Sequence, residues 1–302
     1  MITFFTTAKP FLGHNAVIQR NALMSWQRVH PQAEVILFGD EEGAAETARD
    51  LGIRHVATVQ RESGGPKVLR SFFDAAQRMA RHELLCYANC DIVLTRDFLH
   101  AVNAADAVHD GFLMVGRRWN LDWGVPIAFA AGGWEELLLE RAHETGELTS
   151  GDWIDYFVFR KGLYLGKLPE LVIGRVHWDQ WMVWKARESG AAVVDATEAA
   201  TAIHQNHDYT YHPGGKNGVW SDEYSRRNYR LAGGRWHLRT IDDATHVLGP
   251  DGLRENPRLR KRTAQRMLRT LKEAAWMTAM DWTRPARAAV GLRRHNGSAG
   301  AP

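Results

Sequence analysis

Short apolar runs alternate with helix-length amphipathic stretches from Met1 to Gly116, and this alternation limits the fold more than any other feature. Ile2 to Thr7 reads as a strand ending in Thr6-Thr7-Ala8-Lys9-Pro10, and the helix after it carries Val17, Ile18, Leu23 and Trp26 among its apolar positions. Ala33 to Phe38 is a second strand, stopped by Gly39-Asp40. A helix then runs from about Glu41 to Asp50, its acidic first turn suited to the helix dipole. Residues 54–59 make a short third strand, and Ser63-Gly64-Gly65-Pro66 a loop. Lys67 to Arg81 is a helix with Leu69, Phe72, Phe73 and Ala76 on one face. A strand at Glu83 to Leu94, a helix from about Asp97 and a strand at Phe112 to Gly116 continue the pattern. Such alternation predicts an α/β fold, a doubly wound and mostly parallel sheet flanked by helices.

Within the stretch Glu83 to Leu94, the residues Asn89-Cys90-Asp91 separate two apolar runs. A carboxylate wedged between buried strand segments is costly unless something pairs with it. Open α/β sheets bind ligands at the carboxyl ends of their strands, so a site is one reading of Asp91. A cap for the turn before the next helix is the other.

After Arg117 the regularity fades. Arg117 to Trp123 is a polar-aromatic loop, a helix lies near Trp134 to Glu144, and Ile154 to Phe159 is a further strand. Leu171 to Gln180 reads as a glycine-containing loop before a helix at Trp181 to Glu188. A strand at Ala192 to Asp195 and an apolar run ending at His204 follow. Beyond them, His204 to Tyr209 and Tyr211 to Gly215 form a loop dense in polar and aromatic side chains.

No apolar run is long enough to span a bilayer, and the N-terminus lacks the basic region and apolar core of a signal peptide. Cys86 and Cys90, the only cysteines, would lie roughly 13 Å apart on one strand, too far for a disulfide. Reduced thiols in a cytoplasmic protein are the expectation. The net charge of +3 conceals an asymmetry: Glu255 to Pro302 holds 11 Lys+Arg against 3 Asp+Glu, and the rest holds 27 against 32. Residues 1–254 therefore read as a mildly acidic catalytic body, with halves 1–125 and 126–254, and 255–302 as a basic helical tail.

Four local patterns occur in one order: the Thr6-Thr7 turn, Asn89-Cys90-Asp91, a glycine loop leading to Trp178-Asp179, and a histidine after a late strand, His204 or His207. Together they make residues 1 to about 234 resemble the GT-A superfamily of nucleotide-sugar-dependent glycosyltransferases, whose Rossmann-like sheet fits the alternation. Asn89-Cys90-Asp91 stands at the place of that family's Asp-x-Asp metal motif and departs from it in having Asn89 first. The resemblance implies a Mn²⁺ or Mg²⁺ ion on Asp91 and His204, with His207 in reserve. It places the nucleotide diphosphate sugar donor against Thr6, Asp40, Asn89, Asp91, Arg117 and Arg118. Asp179 becomes the general base of an inverting transfer, with Asp155 as its alternate. Trp178, Trp181 and Asp152 then meet a hydroxyl acceptor, a glycan or lipid-linked glycan.

Plainer readings stand beside these. Asp40 and Asp179 suit helix caps, Arg117 and Arg118 a solvated pair at a strand end, the histidines a hydrogen-bonded loop, and the two Trp the core. A sugar nucleotidyltransferase would carry a Gly-rich basic loop after the first strand, and a nicotinamide oxidoreductase G-x-G-x-x-G; both are absent, as is a P-loop. A catalytically silent binding protein on the same scaffold is the alternative from another class. In the tail, Arg258 to Arg262, Arg266, Arg269 and Lys272 alternate with Leu259, Met267, Leu268, Leu271, Ala275, Trp276 and Met280, and Trp282 follows. That pattern fits an interfacial helix on the anionic inner face of the membrane, or a helix packed on the body; nucleic acid is not an expected partner.

Overall fold

Burial on both faces makes an apolar run an interior strand, and Ile2–Thr7 (β1) meets that condition, with Phe4 packed on one side of the sheet and Phe5 on the other. In the computed structural model, residues 1–107, 111–208, 214–265 and Leu268 are described. Two units divide the chain, Met1–Asn256 and Pro257–Pro302.

In the first unit, β1 is followed by α1 (Gly13–Val29), β2 (Glu34–Phe38), α2 (Ala44–Leu51), β3 (Arg54–Val56) and α3 (Leu69–Met79). Next come β4 (Leu84–Ala88), β5 (Ile92–Leu94), α4 (Asp97–Asp106), β6 (Phe112–Val115) and β7 (Trp119–Leu121). The chain continues through α5 (Trp134–Thr145), β8 (Glu147–Leu148), β9 (Tyr156–Arg160), α6 (Trp178–Glu188), β10 (Ala192–Asp195) and β11 (Ala202–Gln205). It ends with α7 (Gly215–Ser221), α8 (Glu223–Leu231), β12 (His246–Gly249) and β13 (Gly252–Glu255). The main sheet has nine strands in the order β13-β12-β10-β6-β9-β4-β1-β2-β3. It is mostly parallel, with β9 running antiparallel between β4 and β6 and β13 antiparallel at the edge. A second sheet of four strands, β5-β11-β7-β8, stands apart from it.

Between β4 and β5 the chain leaves one sheet and enters the other, turning through Asn89-Cys90-Asp91 with Ile92 N donating to Asn89 O at 3.1 Å. Two side chains of α1 fix that switch: Trp26 Nε1 donates to Ile92 O at 2.9 Å, and Ser25 Oγ accepts from Leu94 N at 3.2 Å. The expected single run from Glu83 to Leu94 is therefore two strands in two sheets. Local corrections share one cause, capture of a side chain by the interior. The second helix starts at Ala44 rather than Glu41, because Glu41 turns inward to pair with Lys67 and Arg61. The third starts at Leu69, after Val68 bridges to Val172. The expected loop 117–123 contains β7, and α6 begins at Trp178, so Asp179 lies in its first turn.

Cys86 and Cys90 are buried free thiols. No helix among the described residues is long and apolar enough to cross a membrane. In the second unit the described residues are helical from 259 to 265 and at Leu268, with Arg262 N donating to Arg258 O at 3.0 Å. Arg266, Met267, Arg269, Lys272, Leu271, Ala275, Trp276, Met280 and Trp282 lie outside the described residues.

Trp26 is fully buried, its ring stacked on Phe4 at 5.6 Å. Trp26→Phe keeps an aromatic ring but leaves the Ile92 carbonyl without its donor. Urea unfolding is expected to show a loss of about 1–3 kcal/mol at unchanged m-value.

Candidate active site

The carboxyl ends of β1, β4 and β11 open onto one cleft of about 510 Å³, together with the residues before β9 and the start of α6. Its walls carry Lys9 and Lys67, Asp91, Arg118, Asp152, Trp153, Asp155, His177, Asp179, His204, His207 and Trp220.

Asp91 precedes β5, and β11 pairs antiparallel with β5 so that His204 lies opposite Ile92. That register brings Asp91, His204 and His207 together, with ligand atoms within 4.8 Å of one another. His207 Nε2 is 3.1 Å from Asp91 Oδ2 and His204 Nε2 is 3.9 Å from the same oxygen. Lys9 Nζ lies 3.2 Å from His207 Nε2. Burial disfavours the Asp91 carboxylate, yet His204, His207 and Lys9 around it hold the group well below the usual carboxylate range. Burial pushes His204 down to about 3, so at neutral pH its imidazole is uncharged and available as a ligand. Lys9 also faces this carboxylate; its own ammonium is weakened by burial and supported by Asp91 and Asp208. Asp91 Oδ1 is buried and accepts no hydrogen bond from the described residues. An ionised carboxylate with an unfilled buried oxygen beside two imidazoles fits a divalent cation, and the carboxylate-imidazole set suits Mn²⁺ or Mg²⁺ completed by phosphate oxygens. Both histidines, rather than one, meet Asp91.

Asn89 faces away from that trio. Its Oδ1 accepts from Tyr87 at 2.9 Å, and its Nδ2 donates to Asp155. Asp155 is also ion-paired with Arg118, and both are almost fully buried. Burial pushes the Asp155 carboxyl up, while Arg118 and Asn89 act the other way. Both oxygens of Asp155 are thus held by neighbours, which makes it a brace for the site. Arg118 further donates from Nε to Asn120 at 3.1 Å and lies over the Trp153 ring at 5.0 Å.

Asp179 differs in kind. It keeps some exposure to the cleft, but its Oδ1 is shielded and has no hydrogen-bond partner among the described residues. Burial, reinforced by the nearby acids Asp155 and Asp152, raises its carboxyl to about 7 despite the amides of the first turn of α6. His177, the residue before that helix, has φ 83°, a left-handed backbone rare for a residue with a side chain.

Several expected residues stand elsewhere. Thr6 is fully buried and its Oγ1 donates to Thr7 O, so Thr7, Ala8 and Lys9 reach the cleft in its place. Arg117 pairs with Asp242 at 2.9 Å, outside the cleft lining. Asp40 is largely exposed and pairs with Arg61, which does line the cleft. Trp178 packs between Tyr87 and Phe157 yet still borders the cleft, whereas Trp181 is buried among apolar neighbours outside the cleft lining, as the plainer core reading has it. The exposed aromatic of the cleft is Trp220, edge-on to Trp153 at 5.8 Å. Sequence reasoning also missed Lys9, Arg61, Lys67 and Arg175. Of these only Lys9 carried a signal, since it directly follows the first strand end. In the loop after His207, Tyr209 to Pro213 lie outside the described residues.

No family model matches the chain, and no curated protein matches it. Among solved structures it is similar to S. aureus TarS in complex with UDP-GlcNAc, at 14% identity and a TM-score of 0.48, covering 77% of this chain and 65% of that one. The chain thus spans just under two thirds of the length of that TarS chain. It is also similar to glucosyl-3-phosphoglycerate synthase from Mycobacterium tuberculosis in complex with Mg²⁺ and uridine diphosphate, at 14% identity and a TM-score of 0.48, covering 78% and 80% of the two chains. A third is the mannosyltransferase PcManGT from Pyrobaculum calidifontis in complex with GDP-Man and Mn²⁺, at 11% identity and a TM-score of 0.42, covering 67% and 56%.

Two outcomes follow from the geometry. Electron paramagnetic resonance should detect Mn²⁺ bound by the wild type and none bound by Asp91→Ala, with circular dichroism showing both folded. Asp155→Ala strands the buried Arg118 guanidinium, and denaturant unfolding should report a loss of about 3–5 kcal/mol.

Proposed function

We propose that the protein is a metal-assisted, inverting glycosyltransferase of the GT-A type, moving a sugar from a nucleotide diphosphate sugar to a hydroxyl acceptor. The observation that carries this reading is one cleft holding two carboxylates in opposite states, Asp91 ionised among cation-binding groups and Asp179 raised to about 7 with an open oxygen. Environments that push two acids apart in this way mark an electrostatic partner and a proton acceptor.

In the proposed reaction Asp179 takes the proton of the acceptor hydroxyl as that oxygen bonds to the anomeric carbon. The bond from that carbon to the diphosphate oxygen breaks, and its electron pair leaves with the nucleotide. Lys9 lines the same cleft and offers positive charge to the departing diphosphate, while Arg61, Lys67 and Arg175 line it paired with Asp40, Glu41 and Asp222. A divalent ion on Asp91, His204 and His207 would add Lewis-acid stabilisation of that charge. Trp220 offers its exposed ring to a sugar face. The acceptor we favour is a glycan or lipid-linked glycan. The cationic excess of residues 255–302 supports a peripheral position on an anionic inner-membrane surface, where a lipid-linked acceptor would lie.

A thermal-shift screen of UDP, GDP, CDP and dTDP sugars with Mn²⁺ identifies the donor, because a ligand of the native state raises the melting temperature. With that donor, turnover should fall about tenfold per pH unit below about pH 7, where Asp179 becomes protonated. Asp179→Asn should lower kcat roughly 10²–10⁴-fold while donor binding persists. Stability supplies an independent readout. From about pH 4 to about pH 7 the native carboxyl keeps a proton that the unfolded chain, with the ordinary value of 3.8, has released. Wild-type stability therefore declines relative to Asp179→Asn as pH rises through that window. No donor among the four bases, or full turnover by Asp179→Asn, would refute the proposal.

A further inference from the structure

We infer that the acceptor carries an oxyanion, a phosphate or a carboxylate, which docks on Arg226 and Arg230. The inference rests on the glycosyltransferase reading and concerns which acceptors it admits. Beside the main cleft lies a second concavity of about 320 Å³, lined by His177, Trp220, Ser225, Arg226, Tyr229 and Arg230. It shares His177 and Trp220 with the main cleft, so a molecule whose hydroxyl reaches Asp179 can extend into it. Among the described residues no acidic one lines it.

The two arginines stand four residues apart, one helical turn, on the same side of α8. Both are exposed, and among the described residues neither has a carboxylate within ion-pair distance. Arg227 between them shows the contrast: it pairs with Glu62 at 2.8 Å. A solvated helix face would also carry unpaired arginines, but α8 is not held loosely. Asn228, fully buried, donates to Val172 O at 2.9 Å and Val176 O at 3.1 Å and accepts from Val172 N at 2.9 Å. Asp222 caps the helix through Ser225 N at 2.8 Å and pairs with Arg175. Tyr229 meets the His177 ring at 5.3 Å. Thus α8 is fastened to the segment 172–177 that leads directly to Asp179, and the positions of Arg226 and Arg230 are set relative to the proton acceptor. Two guanidinium groups over a concavity with a Trp face suit a sugar bearing an oxyanion.

The test uses the full chain with methyl α-glucoside 6-phosphate, methyl α-glucuronide and neutral methyl α-glucoside as probes, read by tryptophan fluorescence. At least one anionic probe should bind about tenfold or more tightly than the neutral one, and the better of the two identifies the oxyanion. R226Q/R230Q should lose most of that preference with an unchanged melting temperature, and each single substitution should lose part of it. Wild-type hydrolysis of a nucleotide sugar with Mn²⁺ is measured alongside. If hydrolysis occurs and the preference is absent, or survives the double substitution, the acceptor inference falls and the glycosyltransferase reading stands. If no donor is hydrolysed, the reading falls, and the acceptor role with it.

Discussion

The buried ion pair between Arg118 and Asp155, completed by Asn89, is the interaction on which the site depends. It joins the end of β4, the residue before β7 and the residue before β9, three segments that close the floor of the cleft. Two charges out of water are tolerable only when geometry is good and the remaining polar atoms are satisfied. Here Arg118 also reaches Asn120 and Trp153, and both oxygens of Asp155 are engaged. This explains why position 89 is Asn. A carboxylate there would face Asp155 with like charge and no donor, where the Asn89 amide supplies one to Asp155 and an acceptor to Tyr87. The departure from an acidic pair therefore suits the brace, and Asp91 stands instead with two histidines.

The separation of Asp91 from Asp179 follows from which neighbours each has. Asp91 lies among Lys9, His204 and His207, and those partners outweigh its burial. Asp179 is raised chiefly by burial, with two further acids, Asp155 and Asp152, adding to the effect. Its rise from 3.8 to about 7 corresponds to roughly 4 kcal/mol against the charged form. A helix N-terminus favours a carboxylate by about 0.3–1 kcal/mol at exposed positions. Burial therefore wins at Asp179, and its place in the first turn of α6 orients the side chain more than it ionises it.

Elements with strong periodicity and both faces buried were legible in the sequence: β1, α1, the paired runs around Asp91, and the strand leading to His204. The mostly parallel main sheet follows from them. Strand direction did not show, because an antiparallel strand buried on both faces, such as Tyr156–Arg160, reads like a parallel one. Nor did the passage of the chain from the main sheet to the small one, which depends on hydrogen bonds from Trp26 and Ser25, distant in sequence. At the site, Asp91 and His204 stood out as polar residues at the ends of apolar runs, and Asp179 through the resemblance alone. Lys67 and Arg61 did not, since Lys67 reads as the first residue of a helix until Glu41, on another element, pulls it inward. Trp178 and Trp153 have the same chemistry, and both border the cleft. Only the packing shows that Trp178 is almost wholly core, with no more than an edge on the cleft, while Trp153 lines the cleft beside Arg118.

The loop that delivers Asp179 also explains why α8 matters to the site although it contributes no reacting group. Gly174 and His177 both have left-handed backbones, φ 74° and 83°, so the chain turns twice between Val172 and the first turn of α6. For glycine this is easy; for His177 it costs on the order of 1–3 kcal/mol. Surroundings must supply that energy, and the three hydrogen bonds of Asn228 to Val172 and Val176 fix the segment on the α8 side. Each such buried bond contributes about 1 kcal/mol net, enough in sum to offset the strain. With the loop so held, α6 begins at Trp178 and the carboxylate of Asp179 enters the cleft. A helix begun at Trp181, as periodicity alone indicates, would leave Asp179 on a loop outside the helix, without the burial that raises its carboxyl.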